Sequence, residues 1–547
     1  MSNTSPPSAP SMPTPPSERR STGNRWSPLE IGLLAAVLIG HVVMVWLIRE
    51  PGITYRDDDA LYLLLSRSLL KLQYLNSHLV ETTPHTQYPP GYPLILALLS
   101  RVAGERLDAF LALGTLCSAA GLALLYSLVR RHADSWLALA VVIPVAVNAL
   151  ILRMAGSLLA ESVFLCLTML TLWLVDREAG RPKWLAWAIV TGVAATMVRS
   201  VAIAVLAALV AHLLLSRRFR AAVTVTLVSA ATTGVWLLHT ILVPVSLHPS
   251  GRSYVRAATH IPGESLFTHV KLFAYRYRIH DLPEVLLWPG LDTPTGHSLL
   301  GTFLAVVCLA GLVVMWRRWR QSVLFVAAYL AILLVWPVRS SRFLYGVTPL
   351  LILAVMVAVE SLTRGRRLLR GIALGLSSAG LVACGLIGWA ADWRELSGCD
   401  RSHPIDRPGC FTEDARTFYV AARALASPAH PPGGALAVHD PMVAYYSGRK
   451  SANILPAIDG DSATLLQDLQ ARDIRYIVFG RTRGSELRIL APVVAQWCHR
   501  LELTIWVPPR ALVYRIRNPE EPDDPGASCY SIATYLADPA RVPLQRK

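Results

Sequence analysis

The sequence predicts a polytopic, mainly α-helical membrane protein with a small C-terminal α/β domain on the outer side. Three observations carry that reading. The 547 residues are 53% hydrophobic and only 16% charged, well below the roughly 25% charged of a typical soluble domain. The apolar surplus is gathered into runs of about 17–25 residues, the length of a bilayer-spanning helix. Lys and Arg cluster between those runs, at Arg130-Arg131, Arg177 to Lys183, Arg217 to Arg220, Arg317 to Arg320 and Arg364 to Arg370. This is the positive-inside pattern of cytoplasmic loops. The net charge of +16 therefore records topology. No basic groove or recognition motif accompanies it, so no nucleic-acid partner is expected.

Taken in order, residues 1–27 are rich in Ser and Pro and hold little to bury, which predicts a disordered cytoplasmic tail. The run that follows is span-length and lacks a small-residue cleavage site, so it reads as a retained span rather than a signal peptide. The transmembrane part is expected over 28–391. Its spans fall near 29–48, 107–129, 135–152, 155–175, 184–198, 200–215, 221–243, 297–316, 321–337, 343–362 and 372–391, about eleven helices. The basic clusters then share one side. Two long segments lie on the other, 49–106 and 244–296. The second carries Tyr254, Tyr275, Tyr277 and Trp288, residues suited to an interface. Within the first, 59–73 and 91–103 are apolar but short, as expected of helices lying in the interface or half-inserted; 91–103 could also belong to a kinked span.

Odd parity places 392–547 outside. Short β-like runs (Ala435 to Val438, Tyr476 to Phe479, Leu512 to Ile516) alternate there with helical stretches such as Ser462 to Ala471, which predicts an α/β domain. Cys399, Cys410, Cys498 and Cys529 form an even set in a compartment where disulfides persist. Four cysteines allow three pairings; local closure of Cys399 with Cys410 and Cys498 with Cys529 is expected. Cys117, Cys166, Cys308 and Cys384 fall in spans, where Cys serves as a small apolar packer.

Chemistry concentrates just past the first span. Asp57-Asp58-Asp59 stand at the membrane boundary, costly unless water, a cation or a reaction uses them. An Asp before an apolar run is also an ordinary helix cap, and Asp57 suits that role. Some thirty residues later Gln87-Tyr88-Pro89-Pro90-Gly91-Tyr92-Pro93 sets a rigid turn ahead of an apolar helix. Glu161 is expected roughly two turns inside its span, either as a functional carboxylate or in an ion pair with a nearby Arg. Arg153, Arg199, Arg339 and Arg342 fall at outer span ends. Snorkelling towards headgroups explains such residues singly; four at one level suit an anionic ligand, and a lipid phosphate is one that Arg holds well. A divalent metal ion could sit at the acidic cluster, though the sequence shows no closed ligand set.

The order Asp58-Asp59, Tyr62, Tyr88-Pro89-Pro90-Gly91-Tyr92-Pro93-Leu94, Ala160-Glu161-Ser162 and Ser341-Arg342-Phe343-Leu344-Tyr345-Gly346-Val347-Thr348-Pro349 resembles the GT-C fold of membrane glycosyltransferases. It is nearest to the bacterial relatives of protein O-mannosyltransferases and of the lipid A aminoarabinose transferase. The resemblance spans about 29–362. It differs in having Asp58-Asp59 where the family often has Asp-Glu, and Gln87 near the position of a Lys in the aminoarabinose branch. The resemblance implies transfer of a sugar from a polyprenyl-phosphate donor to a lipid, glycan or protein acceptor on the outer face, with inversion at the anomeric carbon. Asp58 would be the base. Asp59 and Glu161 would orient acceptor or cation, and Arg199, Arg339 and Arg342 would hold the phosphate. Asp57, Tyr62, Gln87, Tyr88, Pro90 and Tyr92 would position the loop or acceptor. The rival reading is a transporter or flippase of an anionic lipid or solute, and a third is a non-catalytic subunit of an envelope assembly. Charges grouped near one face, and halves without an inverted repeat, weigh against a transporter.

Overall fold

The computed structural model describes residues 26–53, 57–178, 181–243, 265–287, 294–336, 338–437, 440–453, 462–480, 490–508, 511–523, 526 and 528–529. Ten helices fill the first half: α1 Pro28–Ile48, α2 Asp58–Leu70, α3 Gly91–Ala103, α4 Leu107–His132, α5 Ser135–Val147, α6 Ala149–Ala155, α7 Glu161–Arg177, α8 Pro182–Val198, α9 Ile203–Leu215 and α10 Phe219–Leu242. Further helices follow at Leu266–Arg276, Pro294–Met315, Arg320–Val335, Thr348–Leu362 and Arg367–Ser397. Residues 1–25 of the tail, the sequence 244–264 with Tyr254, and Trp288 lie outside the described residues.

A helix stands at each position where the sequence predicts a span. Among the described residues five are long and apolar enough to cross a membrane: α1, α4, α10, Ser298–Met315 and Arg367–Ser397. The pair α5 and α6, bent by 59°, makes a sixth if it is one span. That bend has a local cause. Asn148 leaves the helical conformation and accepts from Ile151 N at 3.2 Å, while its amide donates to Val285 O at 2.8 Å; Pro144 precedes it inside α5. Side-chain caps of this kind end a helix by offering its orphan groups another partner.

The remaining span-like helices are shorter because the chain breaks beside polar residues. Gly156 to Ala160 form a turn, so α7 begins at Glu161. The expected placement of Glu161 two turns inside a span is therefore corrected: it is the first residue of its helix. There a carboxylate faces the positive end of the helix dipole. Arg199 ends α8 in extended backbone, φ −145°, ahead of a 3-10 turn Ser200–Ala202. A second 3-10 turn, Ser341–Gly346, precedes Thr348–Leu362.

α2 and α3 join the bundle at one end. A Cβ at Gly91 would meet the Met197 carbonyl oxygen at 2.5 Å, so only Gly lets α3 sit on the end of α8, two residues before Arg199. The loop between α2 and α3 is tied internally: Asn76 N donates to Thr83 O at 2.7 Å, and His85 Nδ1 lies 2.7 Å from Asn76 Oδ1.

The C-terminal segment folds as a five-stranded mixed sheet, β1 Gly434–Ala437, β2 Ser451–Asn453, β3 Ile474–Phe479, β4 Leu501–Val507 and β5 Ala511–Ile516, in the order β2-β1-β3-β5-β4. β1 pairs in parallel with β2 and β3, and β5 antiparallel with β3 and β4. Disulfides join Cys399 to Cys410 and Cys498 to Cys529. The sheet is fastened to the loop after α2: Val80 N donates to Ser451 O at 3.0 Å and Ser451 N to His78 O at 2.8 Å. Tyr446 donates to Ile53 O at 2.9 Å. Phe418, Tyr476 and Val513 share one buried apolar cluster with the helices.

Candidate active site

The polar centre is assembled from helix ends. Asp57 holds φ +73°, left-handed backbone that Asp tolerates better than most residues, and this turns the chain into α2 at Asp58. Asp58 Oδ2 accepts from Arg342 Nη2 at 2.7 Å, and Oδ1 accepts from the Tyr88 hydroxyl at 2.6 Å. Tyr88 accepts in turn from Gln87 Nε2 at 3.1 Å. Arg342 also reaches Glu161, with Nε 2.6 Å from Oε1, and Arg199 Nη1 pairs with the same oxygen. One buried carboxylate thus lies between two guanidiniums, one of which holds Asp58. The two arginines are fixed by Glu161, whose side chain is 2% exposed, against 20% for Asp58.

Aromatic packing sets the height of these groups. Tyr62, on the turn after Asp58, lies 4.8 Å centroid to centroid from both Tyr88 and Tyr92. Tyr88 N donates to His85 Nε2 at 2.9 Å, and Tyr74 donates to Tyr88 O at 2.8 Å. Burial pushes the His85 imidazole down to about 3, with His78 and His239 adding to the effect, so it stays a neutral acceptor for that N–H. Pro90 caps α3. The Pro-rich turn is thereby locked over Asp58.

A pocket opens beside this centre and contains about 520 Å³ of empty space, its open mouth included. Arg199, Arg342, Tyr62, Gln87 and Tyr88 form its polar wall, and Pro89, Val201, Leu333, Trp336 and Phe343 its apolar wall. Tyr329 donates to Phe343 O at 2.8 Å and holds that wall in place.

Not all predicted residues converge. Arg339 pairs with Asp281 at 3.0 Å, and Arg153 with Asp392 at 2.6 Å. Asp59 is buried next to Asp58, with its Oδ1 2.8 Å from Ala60 N. Glu50 is a residue that sequence reasoning passed over. It follows α1, its N–H donates to Gly156 O at 2.9 Å, and its Oε2 accepts from Leu158 N at 3.4 Å. Burial, reinforced by Asp59, holds its carboxyl well above the usual range. A charged residue directly after the first span was the available signal. Among the described residues no group of three or more His, Cys, Asp or Glu is placed to hold a metal ion. The cation that Asp58 does have is Arg342.

The helical architecture is that of the GT-C fold. Residues 87–245 match the family model of dolichyl-phosphate-mannose-protein mannosyltransferase. ArnT from Cupriavidus metallidurans in the apo state is similar in structure, with TM-score 0.55 and 14% identity over 90% of this chain and 99% of that one. The same enzyme bound to undecaprenyl phosphate gives TM-score 0.51 and 14% identity over 90% and 100%. The Archaeoglobus fulgidus oligosaccharyltransferase, tethered to an acceptor peptide, gives TM-score 0.52 and 11% identity over 92% of this chain and 77% of that one. No curated protein sequence matches the chain.

Proposed function

We propose that this protein transfers a sugar from a polyprenyl-phosphate carrier to a hydroxyl of an extracytoplasmic lipid, polysaccharide or protein. The observation that carries this is the two-sided pocket. Arg199 and Arg342 stand at one wall for a phosphate, apolar side chains stand at the other for a prenyl chain, and Asp58 is bonded to two residues of the polar wall, Arg342 and Tyr88. The structural likeness to an ArnT bound to undecaprenyl phosphate supports the same donor class.

In this reading the acceptor oxygen attacks the anomeric carbon, Asp58 takes the hydroxyl proton, and the carrier phosphate leaves with the bonding electron pair, inverting the centre. Tyr88 holds Asp58 Oδ1 towards the acceptor. Arg342, with its five N–H donors, spans Asp58, Glu161 and a phosphate oxygen as charge develops there. Glu161 fixes both arginines. Asp59 braces the start of the helix that carries Asp58, and Glu50 braces the turn ahead of Glu161. The protein sits in the plasma (inner) membrane with its N-terminus cytoplasmic and 392–547 outside, as the basic clusters and the two disulfides support.

The test is Asp58→Asn in a transfer assay with a polyprenyl-phosphate sugar and expression-matched membranes. Loss of a general base lowers the rate by on the order of 10²–10⁴. Wild-type transfer by both Asp58→Asn and Asp59→Asn would rule the mechanism out. No transfer by the intact protein with any carrier, together with carrier translocation across vesicles, would favour a flippase.

A further inference from the structure

Two adjoining grooves lie away from the Asp58 pocket, where α2 and its following loop meet the C-terminal segment. The first is lined by Arg67, Lys71, His78, Arg449 and Lys450 and contains about 640 Å³ of empty space, mouth included. The second shares Arg449 and Lys450, extends past His430 and Arg472, and contains about 1250 Å³.

Their charge is only partly answered. Arg67 is paired with Glu105 at 2.7 Å, and Arg472 with Glu81 at 3.0 Å and Asp468 at 3.2 Å. His78 lies 3.7 Å from Asp440. Asp473, on the rim, is 2.7 Å from Arg475. Among the described residues Arg449 donates to main-chain oxygens alone, those of Leu425, His430, Pro431 and Gly433. These bonds fix its guanidinium without neutralising it. Lys450 Nζ reaches Thr82 Oγ1 at 3.4 Å. Among the described residues no carboxylate comes within ion-pair distance of Lys71, Arg449 or Lys450. A guanidinium held rigid by carbonyls next to two ammonium groups that no described carboxylate answers is a preorganised anion site, since the ordering cost is already met within the fold.

Resting on the glycosyltransferase reading, we infer that this groove recognises an anionic group, phosphate or carboxylate, borne by the acceptor glycan. Position supports an acceptor role. Asp58 opens α2 and Lys71 closes it, so at 1.5 Å per residue the groove starts roughly 14 Å from the base at Arg67 and ends roughly 20 Å away at Lys71. An extended oligosaccharide spans that distance, with its anionic residue several sugars from the reacting hydroxyl. The donor pocket shares no lining residue with this groove, so donor and acceptor are held by different side chains.

The test uses full-length protein in nanodiscs of neutral lipid and the double variant Lys71→Glu/Lys450→Glu, whose side chains are exposed. The probes are oligosaccharides of one length in neutral, phosphorylated and uronic forms, titrated calorimetrically. Undecaprenyl phosphate serves as the donor-side probe. Wild-type protein should bind one or both anionic forms about tenfold more tightly than the neutral form, and the double variant should lose that preference. The phosphorylated and uronic arms identify which anion is read. Undecaprenyl phosphate should bind both proteins equally. Equal binding of neutral and anionic glycans, or an unchanged preference in the variant, overturns the inference. So does a variant altered only in its binding to anionic-lipid vesicles, which would make the groove a membrane contact. Failure of wild-type protein to bind undecaprenyl phosphate would instead count against the donor reading alone.

Discussion

Glu161→Gln separates a carboxylate that reacts from one that holds others in place. Glu161 is enclosed between Arg199 and Arg342 and is nearly inaccessible. The amide keeps its shape and one acceptor oxygen but removes the charge. Arg342 then retains Asp58 at 2.7 Å, whereas Arg199, whose side chain is 15% exposed, loses its carboxylate. Neutralising one partner of a buried pair costs about 3–5 kcal/mol, and the surviving hydrogen bond puts this case near 3. The same change at Asp58 removes a partly solvated charge and should cost about 1 kcal/mol. The assay pairs thermal unfolding in detergent with transfer per folded molecule. Glu161→Gln should lower the unfolding midpoint well below that of Asp58→Asn, while Asp58→Asn should show the larger loss of rate. A Glu161→Gln protein that unfolds with the wild type would refute the assignment of Glu161 as the anchor of both arginines.

Arg342→Ala should raise the apparent KM for the polyprenyl donor, whereas Arg339→Ala, which breaks only the pair with Asp281, should leave it near wild type; equal effects in donor titrations would return Arg339 to the phosphate site. Burial raises the Asp281 carboxyl to about 6. The folded state then holds a proton that the unfolded chain, near 4, has released, so stability should fall as pH rises from about 4 to about 6 by up to about 2–3 kcal/mol; Asp281→Asn should flatten that slope in detergent unfolding curves. Cysteines engineered into 71–90 and 392–412 should react with an impermeant maleimide in intact cells, and labelling only after lysis would invert the proposed topology.

Much of the helical layout was legible because the signals were local. Apolar runs, basic clusters and a Pro-Pro-Gly turn need no knowledge of distant partners. Strands at 474–479 and 511–516 show in β-branched and aromatic runs for the same reason, and 434–437, Gly-Ala-Leu-Ala, only as a short apolar run. The site was legible as residues but not as pairs. Arg199 and Arg342 meet on Glu161, yet Arg339 and Arg153, equally placed at span ends, are taken by Asp281 and by Asp392, 239 residues away. Spacing along a chain does not reveal which carboxylate will be opposite. The start of α7 was misplaced for a related reason. Gly156 to Ala160 read as one apolar run, and the turn there becomes visible only once Glu50 and Arg49 close on it. Tyr329 and Trp336 line the pocket from a helix and from the residue just past its end, and the helix's apolar composition gives no hint of a cavity.

Each charged group of the centre sits at a break in a helix. Asp58 opens α2, Glu161 opens α7, Arg199 ends α8, and Arg342 lies on a 3-10 turn. Irregular backbone at membrane depth is tolerated only where protein or a water-filled cavity satisfies its polar groups, so four breaks meeting in one place define a cavity before any side chain is considered. The breaks also sort the charges: both carboxylates begin helices, where the dipole favours anions, and Arg199 stands past a helix C-terminus, where it favours cations. The helix ends thus contribute to holding an ion-pair network whose desolvation would otherwise weigh against it. The one carboxylate in that network left partly open is Asp58, and it is tied to the pocket's polar wall by Arg342. That asymmetry, a solvated base set on a buried and neutralised frame, is what the proposed proton transfer requires.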